Sequence, residues 1–194
     1  MAAEYPNWFK QIAQHNFEQF LVPEAGKPEL RYLQLGCFTG DASVWLLENI
    51  LNGMGSVLYD VDTWAGAENE PIQEEMDFDD VYATYLAKTK PFYNLNSIKM
   101  TTQKFLINYR TETSAFHFIY VDAHHTSASA FLDCELSWPL LKSGGLLAID
   151  DYEWLHPDGV EIHAPKLGIH MFLDRHEGEF DTLIINQQYW LRKR

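Results

Sequence analysis

The stretch Arg31-Tyr32-Leu33-Gln34-Leu35-Gly36-Cys37-Phe38-Thr39-Gly40-Asp41-Ala42-Ser43-Val44-Trp45 decides how this chain folds. Tyr32, Leu33 and Leu35 are apolar and run into Gly36, the pattern of a short buried strand that ends in a tight turn. From Ser43 onward, Val44, Leu46, Leu47 and Ile50 recur at helical spacing. Strand, glycine turn and helix make the opening unit of a doubly wound sheet, where ligands bind beyond the carboxyl ends of strands at the reversal of strand order. Gly36 and Gly40 lack side chains, so a ligand can approach the backbone closely, and the helix that follows begins with free N–H groups. The spacing is Gly-x-x-x-Gly, not the Gly-x-Gly-x-x-Gly of dinucleotide-binding proteins, and by itself it is also what ordinary loop chemistry gives.

Further along, the pattern repeats. Gly53-Met54-Gly55 stops the first helix, and Ser56 to Asp62 reads as a second strand ending in acid. An acid there can accept hydrogen bonds from both hydroxyls of a ribose, although a terminal Asp also caps loops. Ala65 to Phe78 is a long acidic loop with Glu68, Glu70, Glu74, Glu75 and Asp77. Val81, Tyr82, Tyr85 and Leu86 predict a helix over 79–88, Ser97–Met100 a short strand, and Phe105, Leu106 and Tyr109 another helix. Phe116 to Val121 is an apolar run that ends at Asp122, and Phe131, Leu132, Leu136 and Trp138 predict the helix after it. Pro139, Lys142 and Gly144-Gly145 read as a turn before a fifth strand, Leu146–Ile149, which ends at Asp150-Asp151. Phe180–Ile185 and Gln188–Arg192, joined by Asn186-Gln187, predict an antiparallel hairpin.

The reading is one α/β domain over residues 1–194. A helical cover or lid spans 1–30, where Trp8, Phe9, Ile12, Phe17, Phe20 and Leu21 fall at roughly helical intervals, and a Rossmann-like, mostly parallel core spans 31–194. A net charge of −14 argues against nucleic acid or an anionic membrane as main partner, since either demands a basic face. No apolar run approaches the ~18 residues of a membrane span, and Met1 to Pro6 lacks the features of a secretion signal. With Cys37 and Cys134 as the only cysteines, no disulfide framework is expected, and a reducing, cytoplasmic setting is the expectation. Three strands nevertheless end in carboxylates at one sheet edge, Asp62, Asp122 and Asp150 with Asp151; such clusters repel unless a cation or ligand donors satisfy them.

Four stretches, in order and at matching spacing from about residue 31 to 152, resemble the class I S-adenosylmethionine-dependent methyltransferases, and more closely methyltransferase family 24 with its metal-dependent small-molecule O-methyltransferases. Leu33 to Gly40 is similar to the first cofactor motif and Asp60-Val61-Asp62-Thr63-Trp64 to the ribose strand. Tyr120-Val121-Asp122-Ala123-His124-His125 resembles the fourth-strand motif, and Leu141 to Tyr152 the Leu-Lys-x-Gly-Gly strand with its acidic end. The resemblance implies S-adenosylmethionine held by Gln34, Leu35, Gly36, Cys37, Phe38, Gly40, Ser43, Asp62, Thr63, Trp64, Thr101, Thr102, Asp122 and Ala123, with Thr101 or Thr102 and Ala123 near the adenine. It implies Mg2+ or Mn2+ on Asp122, Asp150 and Asp151, a donor set that suits a hard cation. Asp-x-x-His at Asp122 and His125 makes His125 the expected general base, with His124 the alternative. One departure stands out: relatives carry Glu where this chain has Gln34, which keeps an acceptor oxygen but loses the charge.

The implied activity is O-methylation of a hydroxylated small molecule, whether sugar, polyol or catechol; a homo-oligomer is compatible with the sequence. Two rivals remain at this level. A NAD-type oxidoreductase has the glycine spacing and the terminal hairpin against it, and a non-catalytic cofactor-binding domain has only Gln34 for it. The acceptor pocket falls to Tyr152–Ile169, with Trp154, His156, His163 and His170, and Pro157 and Pro165 limiting its flexibility.

Overall fold

Seven strands form one sheet in the order β3-β2-β1-β4-β5-β7-β6. The computed structural model describes residues 5–66, 73 and 75–194; Glu68, Glu70 and Glu74 of the acidic loop lie outside them. Strands β1 (Arg31–Leu35), β2 (Val57–Asp62), β3 (Leu95–Lys99), β4 (Phe116–Val121) and β5 (Leu141–Ile149) are parallel neighbours. β7 (Tyr189–Lys193) runs antiparallel to β5 and to β6 (Phe180–Ile185), the predicted hairpin. Helices α2 (Asp41–Asn49), α3 (Phe78–Thr89), α4 (Thr102–Tyr109), α5 (Ser127–Ser137) and α6 (Lys166–Arg175) complete the core. Strand order reverses between β1 and β4, so the carboxyl ends of those two strands mark the binding crevice.

Both faces of the central strands are buried, and alternate residues divide between them. Leu33, Leu35, Ile119 and Val121 pack on the face covered by α4 and α5 residues such as Leu106 and Cys134. Tyr32, Phe118 and Tyr120 pack on the opposite face with Leu46 and Leu47 of α2 and Phe17 of α1 (Gln14–Leu21). Phe17 is completely buried, in edge contact with Phe118, Tyr120 and Trp190. A π-helical turn at Phe9–Ala13 leads into α1, so the N-terminal helix is a packed cover on the core. Side-chain caps fix three helix starts: Asp77 for α3, Thr101 for α4 and Thr126 for α5.

Strand boundaries differ from the sequence reading most at β5, and at β3 by two residues, where the strand begins at Leu95, not Ser97. β5 begins at Leu141, not Leu146, because Leu141 pairs with Phe116 before the register shifts and Leu146 pairs with Phe118. The Gly144-Gly145 turn is thus an irregularity inside the strand, with Gly144 at φ 78°. Gly36 has a reason of its own. At φ 86° a Cβ there would lie 1.7 Å from the carbonyl oxygen of Asp122, so the ends of β1 and β4 meet only across a glycine.

Candidate active site

Two adjoining cavities open at the crevice. The larger, about 310 Å³, is walled by the glycine turn (Gly36 to Thr39), the strand-end group Asp122, His125, Asp150 and Asp151, and the aromatic side chains of Trp8, Phe9, Phe38 and Trp154. The smaller, about 160 Å³, is bounded by Asp62, Thr63, Trp64, Thr101, Thr102 and His124. Gly36, Asp122 and Ala123 line both.

Asp62 is engaged with the glycine turn. One carboxylate oxygen accepts from the N–H groups of Cys37 (2.7 Å) and Phe38 (3.1 Å), and the other from the N–H of Trp64 (2.8 Å). The indole of Trp64 donates to the carbonyl of Phe38 at 2.9 Å, which ties the two loops together. Phe38 and Trp64 both have φ 45° and Asp151 φ 56°, left-handed conformations that cost non-glycine residues roughly 1–3 kcal/mol each. Three of the five such residues among those described therefore stand on the walls of these cavities.

Gln34 lies on the floor of the larger cavity, where its amide donates to the Gly36 carbonyl at 3.0 Å and its oxygen receives the Ser43 hydroxyl at 3.4 Å. Behind it, Asp60 is fully buried and hydrogen-bonded to the Tyr85 hydroxyl at 2.9 Å, with its second oxygen unpartnered. Burial pushes its carboxyl up to about 7.

At the other end of the larger cavity, Asp122, Asp150 and Asp151 stand together, each half-buried. Burial, then the neighbouring aspartates, raises the carboxyl of Asp122 well above the ordinary range. Burial and Asp151 raise that of Asp150. His125 Nε2 is 2.9 Å from Asp151, and one donor atom from each of Asp122, His125 and Asp151 can lie within 4.8 Å of the others. Asp150 instead receives the Tyr120 hydroxyl on one oxygen, while its other oxygen is buried without a partner. Gln188 Nε2 lies 3.4 Å from that hydroxyl, and Gln188 Oε1 accepts from Trp190 and from Asn16 of α1, both at 2.8 Å. A buried polar chain thus runs from the N-terminal cover to the acid cluster. Sequence reading missed it, because its members sit on four separate segments, α1, β4, the end of β5 and the hairpin turn, with no common spacing.

Most of the predicted site residues converge here, but not all line these cavities. Leu35 and Ser43 are buried behind the turn, and Gly40 sits against the Tyr85 ring. Thr101 and Thr102 do reach the smaller cavity, yet both hydroxyls have structural partners: Thr101 caps α4, and Thr102 donates to Asp133 at 2.8 Å. Thr39, Asp41 and Ala42 in the larger cavity, and Gln103 and Ser129 in the smaller, carried no signal beyond their neighbourhood in sequence. Of the acceptor-segment residues, Trp154 lines the larger cavity, 5.2 Å from the His125 ring, and His170 is held by the Tyr152 hydroxyl at 2.8 Å.

A family model described as a methyltransferase domain matches residues 33–152, from the first strand to the acidic end of the fifth. The chain belongs to methyltransferase family 24. This is a group of class I S-adenosylmethionine-dependent methyltransferases, and the strand order of the sheet agrees with it. No protein of curated function matches the chain significantly in sequence. Among solved structures, a suspected rRNA methylase from Clostridium thermocellum superposes with a TM-score of 0.66 at 14% identity, covering 99% of this chain and 100% of that one. The O-methyltransferase from Bacillus cereus in complex with SAH gives 0.60 at 13% identity, covering 98% and 92%. The MycE methyltransferase of the mycinamycin pathway, in complex with Mg, SAH and mycinamycin VI, gives 0.61 at 14% identity; 98% of this chain covers 50% of that one. At such identities the likeness is one of fold. Among the described residues no helix is long and apolar enough to cross a membrane.

Proposed function

We propose that this family 24 methyltransferase transfers a methyl group from S-adenosylmethionine to a hydroxyl of a small molecule, assisted by a divalent cation. The observation that carries the reading is the convergence of Asp122, Asp150, Asp151 and His125 in a cavity that shares Gly36 with the glycine turn. The smaller cavity would take the ribose and adenine, with Asp62 at the hydroxyls and Thr101, Thr102 and Ala123 around the base. The glycine turn and Gln34 would hold the methionyl end. Gln34 supplies no charge there, and Asp41 and Asp122 are the acids on the walls that could face an ammonium group.

The donor set fits a hard cation. Asp122 and Asp150 stand at neighbouring strand ends, Asp150 with an orphaned oxygen, and burial and the neighbouring aspartates raise the carboxyls of both, with His125 opposing this at Asp122. Asp122, Asp150 and Asp151 would hold the ion, and its chemistry would be Lewis-acid polarisation of the acceptor hydroxyl. The protein's own part is positional. Asp151, 2.9 Å from Nε2, orients the His125 imidazole, and the positive charge of a proton gained at the other ring nitrogen would be stabilised by that carboxylate. Trp8, Phe9, Phe38 and Trp154 would press the acceptor against the acid cluster and exclude water, so that acceptor oxygen, methyl and sulfur can be held in line. The apolar walls and the net charge of −14 favour a small, partly apolar hydroxylated acceptor over a nucleic acid.

Calorimetry with S-adenosylmethionine and its demethylated product tests the first half; a well-folded protein that binds neither sinks it. For the second half, release of the demethylated cofactor is followed across catechols and sugars. Chelation should abolish turnover, added magnesium or manganese should restore it, and Asp150→Asn should lower metal affinity more than cofactor affinity. His125→Ala should lower turnover while leaving both affinities nearly unchanged. Full activity in excess chelator removes the cation from the mechanism, and near-normal turnover in His125→Ala removes the base.

A further inference from the structure

We infer that His156, Asp158 and His163 form a second metal site, one for a borderline transition ion such as zinc, on the loop behind Trp154. The Nδ1 atoms of both histidines point at the one carboxylate, each at its own oxygen: His156 at 2.7 Å and His163 at 2.6 Å. The two imidazoles stand 5.4 Å apart at 77°, and donor atoms of all three residues lie within 4.8 Å of one another. The backbone nitrogen of Asp158 also lies 3.3 Å from His156 Nδ1, so the turn holds that ring nitrogen against the cluster.

The backbone builds this convergence. Gly159, at φ 71°, donates to the carbonyl of His156 at 2.9 Å, and His163 donates to that of Val160 at 2.9 Å. The Asp158 carboxylate takes the N–H of Val160 at 2.9 Å, which fixes its direction. The eight residues from His156 to His163 therefore fold back as a double turn that sets three ligands on one side. The Ser127 hydroxyl anchors the far end by donating to the carbonyls of Glu161 (3.1 Å) and Ala164 (2.6 Å).

The donor chemistry distinguishes this cluster from the acid group in the cavity. Two imidazoles and one carboxylate suit zinc, cobalt, nickel or copper, whereas magnesium prefers oxygen donors and keeps its water. Bonds of about 2.0–2.1 Å at tetrahedral angles place donor atoms about 3.3 Å apart, so each N···O separation would open by roughly 0.6 Å on binding. Side-chain exposures of 39% at Asp158 and 45% at His163 leave room for that movement and for a water as fourth ligand. His156, only 12% exposed and packed edge-on against Trp154 at 5.8 Å, is the fixed member of the set.

The test uses the untagged full chain, stripped with chelator, in a His125→Ala/Asp151→Asn background that removes the other metal cluster. Zinc titrated against a chromogenic chelator should bind at one equivalent. Cobalt should give the visible absorption of a tetrahedral centre. Adding His163→Ala should weaken zinc at least about 10–100-fold, the range already typical for loss of an outer-shell partner, and abolish the cobalt band. Asp158→Asn is the second variant, at another exposed position. Excess magnesium should not compete. Absence of stoichiometric zinc binding in the background protein, unchanged affinity in folded His163→Ala or Asp158→Asn, or equal competition by magnesium would each overturn the site.

Discussion

Replacing Asp62 by alanine separates two roles that the residue combines. In the structure its carboxylate accepts three backbone N–H bonds, from Cys37, Phe38 and Trp64, at 2.7, 3.1 and 2.8 Å. A hydrogen bond to a charged group contributes about 1.5–3 kcal/mol, but these three share one carboxylate at a part-open site where water recovers some of the loss. Asp62→Ala should therefore lower the unfolding free energy by about 2–4 kcal/mol, the range for a broken buried network. Cys37 and Trp64 are almost fully buried, so their N–H groups are the ones stranded. Asp62→Asn retains one acceptor oxygen and should lose roughly half as much. Urea unfolding followed by tryptophan fluorescence measures this. Calorimetry with the demethylated cofactor measures the second role, where Asp62→Ala should weaken binding about ten- to a hundredfold, near 1.5–3 kcal/mol. An Asp62→Ala protein as stable as wild type would refute the reasoning that this carboxylate holds the glycine turn. Normal stability with weakened binding would leave only the ribose role.

Three further outcomes follow from particular contacts. Gly36→Ala should cost about 3–5 kcal/mol, since a Cβ 1.7 Å from the Asp122 oxygen adds overpacking to backbone strain, whereas Gly144→Ala, with nothing within 4 Å, should cost only about 1–2; equal losses in denaturant would contradict the close β1–β4 contact. Asp60, with a folded-state pKa raised to about 7, favours the fold fully below the unfolded carboxylate pKa of about 4 and loses that contribution as pH rises to 7. Asp60→Asn should therefore flatten the fall in stability between pH 4 and 7, and an unchanged pH slope would rule out burial of a protonated carboxyl. Tyr120→Phe removes the hydroxyl that serves half-buried Asp150 and should destabilise by about 1–3 kcal/mol; thermal unfolding at wild-type temperature would show that the polar chain through Gln188 adds nothing.

The sequence alone determined the strands, the helices α2 to α5 and the acids at the strand ends, but not α6 (Lys166–Arg175), which begins inside the segment read as acceptor pocket and buries Ile169 and Phe172 in the core. Largely apolar runs ending in Gly36, Asp62, Asp122 and Asp150 are local patterns: a parallel strand buried on both faces is mostly apolar, and a glycine or acid closing the run marks its end. The terminal hairpin was legible for the same reason, through its turn and its β-branched run. What needed the tertiary structure was the allocation of each polar group. Asp60 reads no differently from Asp62 two residues on, and the pleat points both to the same face; Asp60 is covered by α3 with Tyr85 against it, whereas Asp62 stands at the strand end and meets the glycine turn. The chain from Asn16 through Gln188 and Tyr120 to Asp150 links segments more than 100 residues apart, and no periodicity can encode it. Gly36 appears in sequence as freedom to approach a ligand, but its fixed partner is the backbone of Asp122, since only packing brings β1 and β4 that close. His156 and His163 show the same limit. Their spacing from Asp158 gave no motif, and they converge because Gly159 takes a left-handed turn between them.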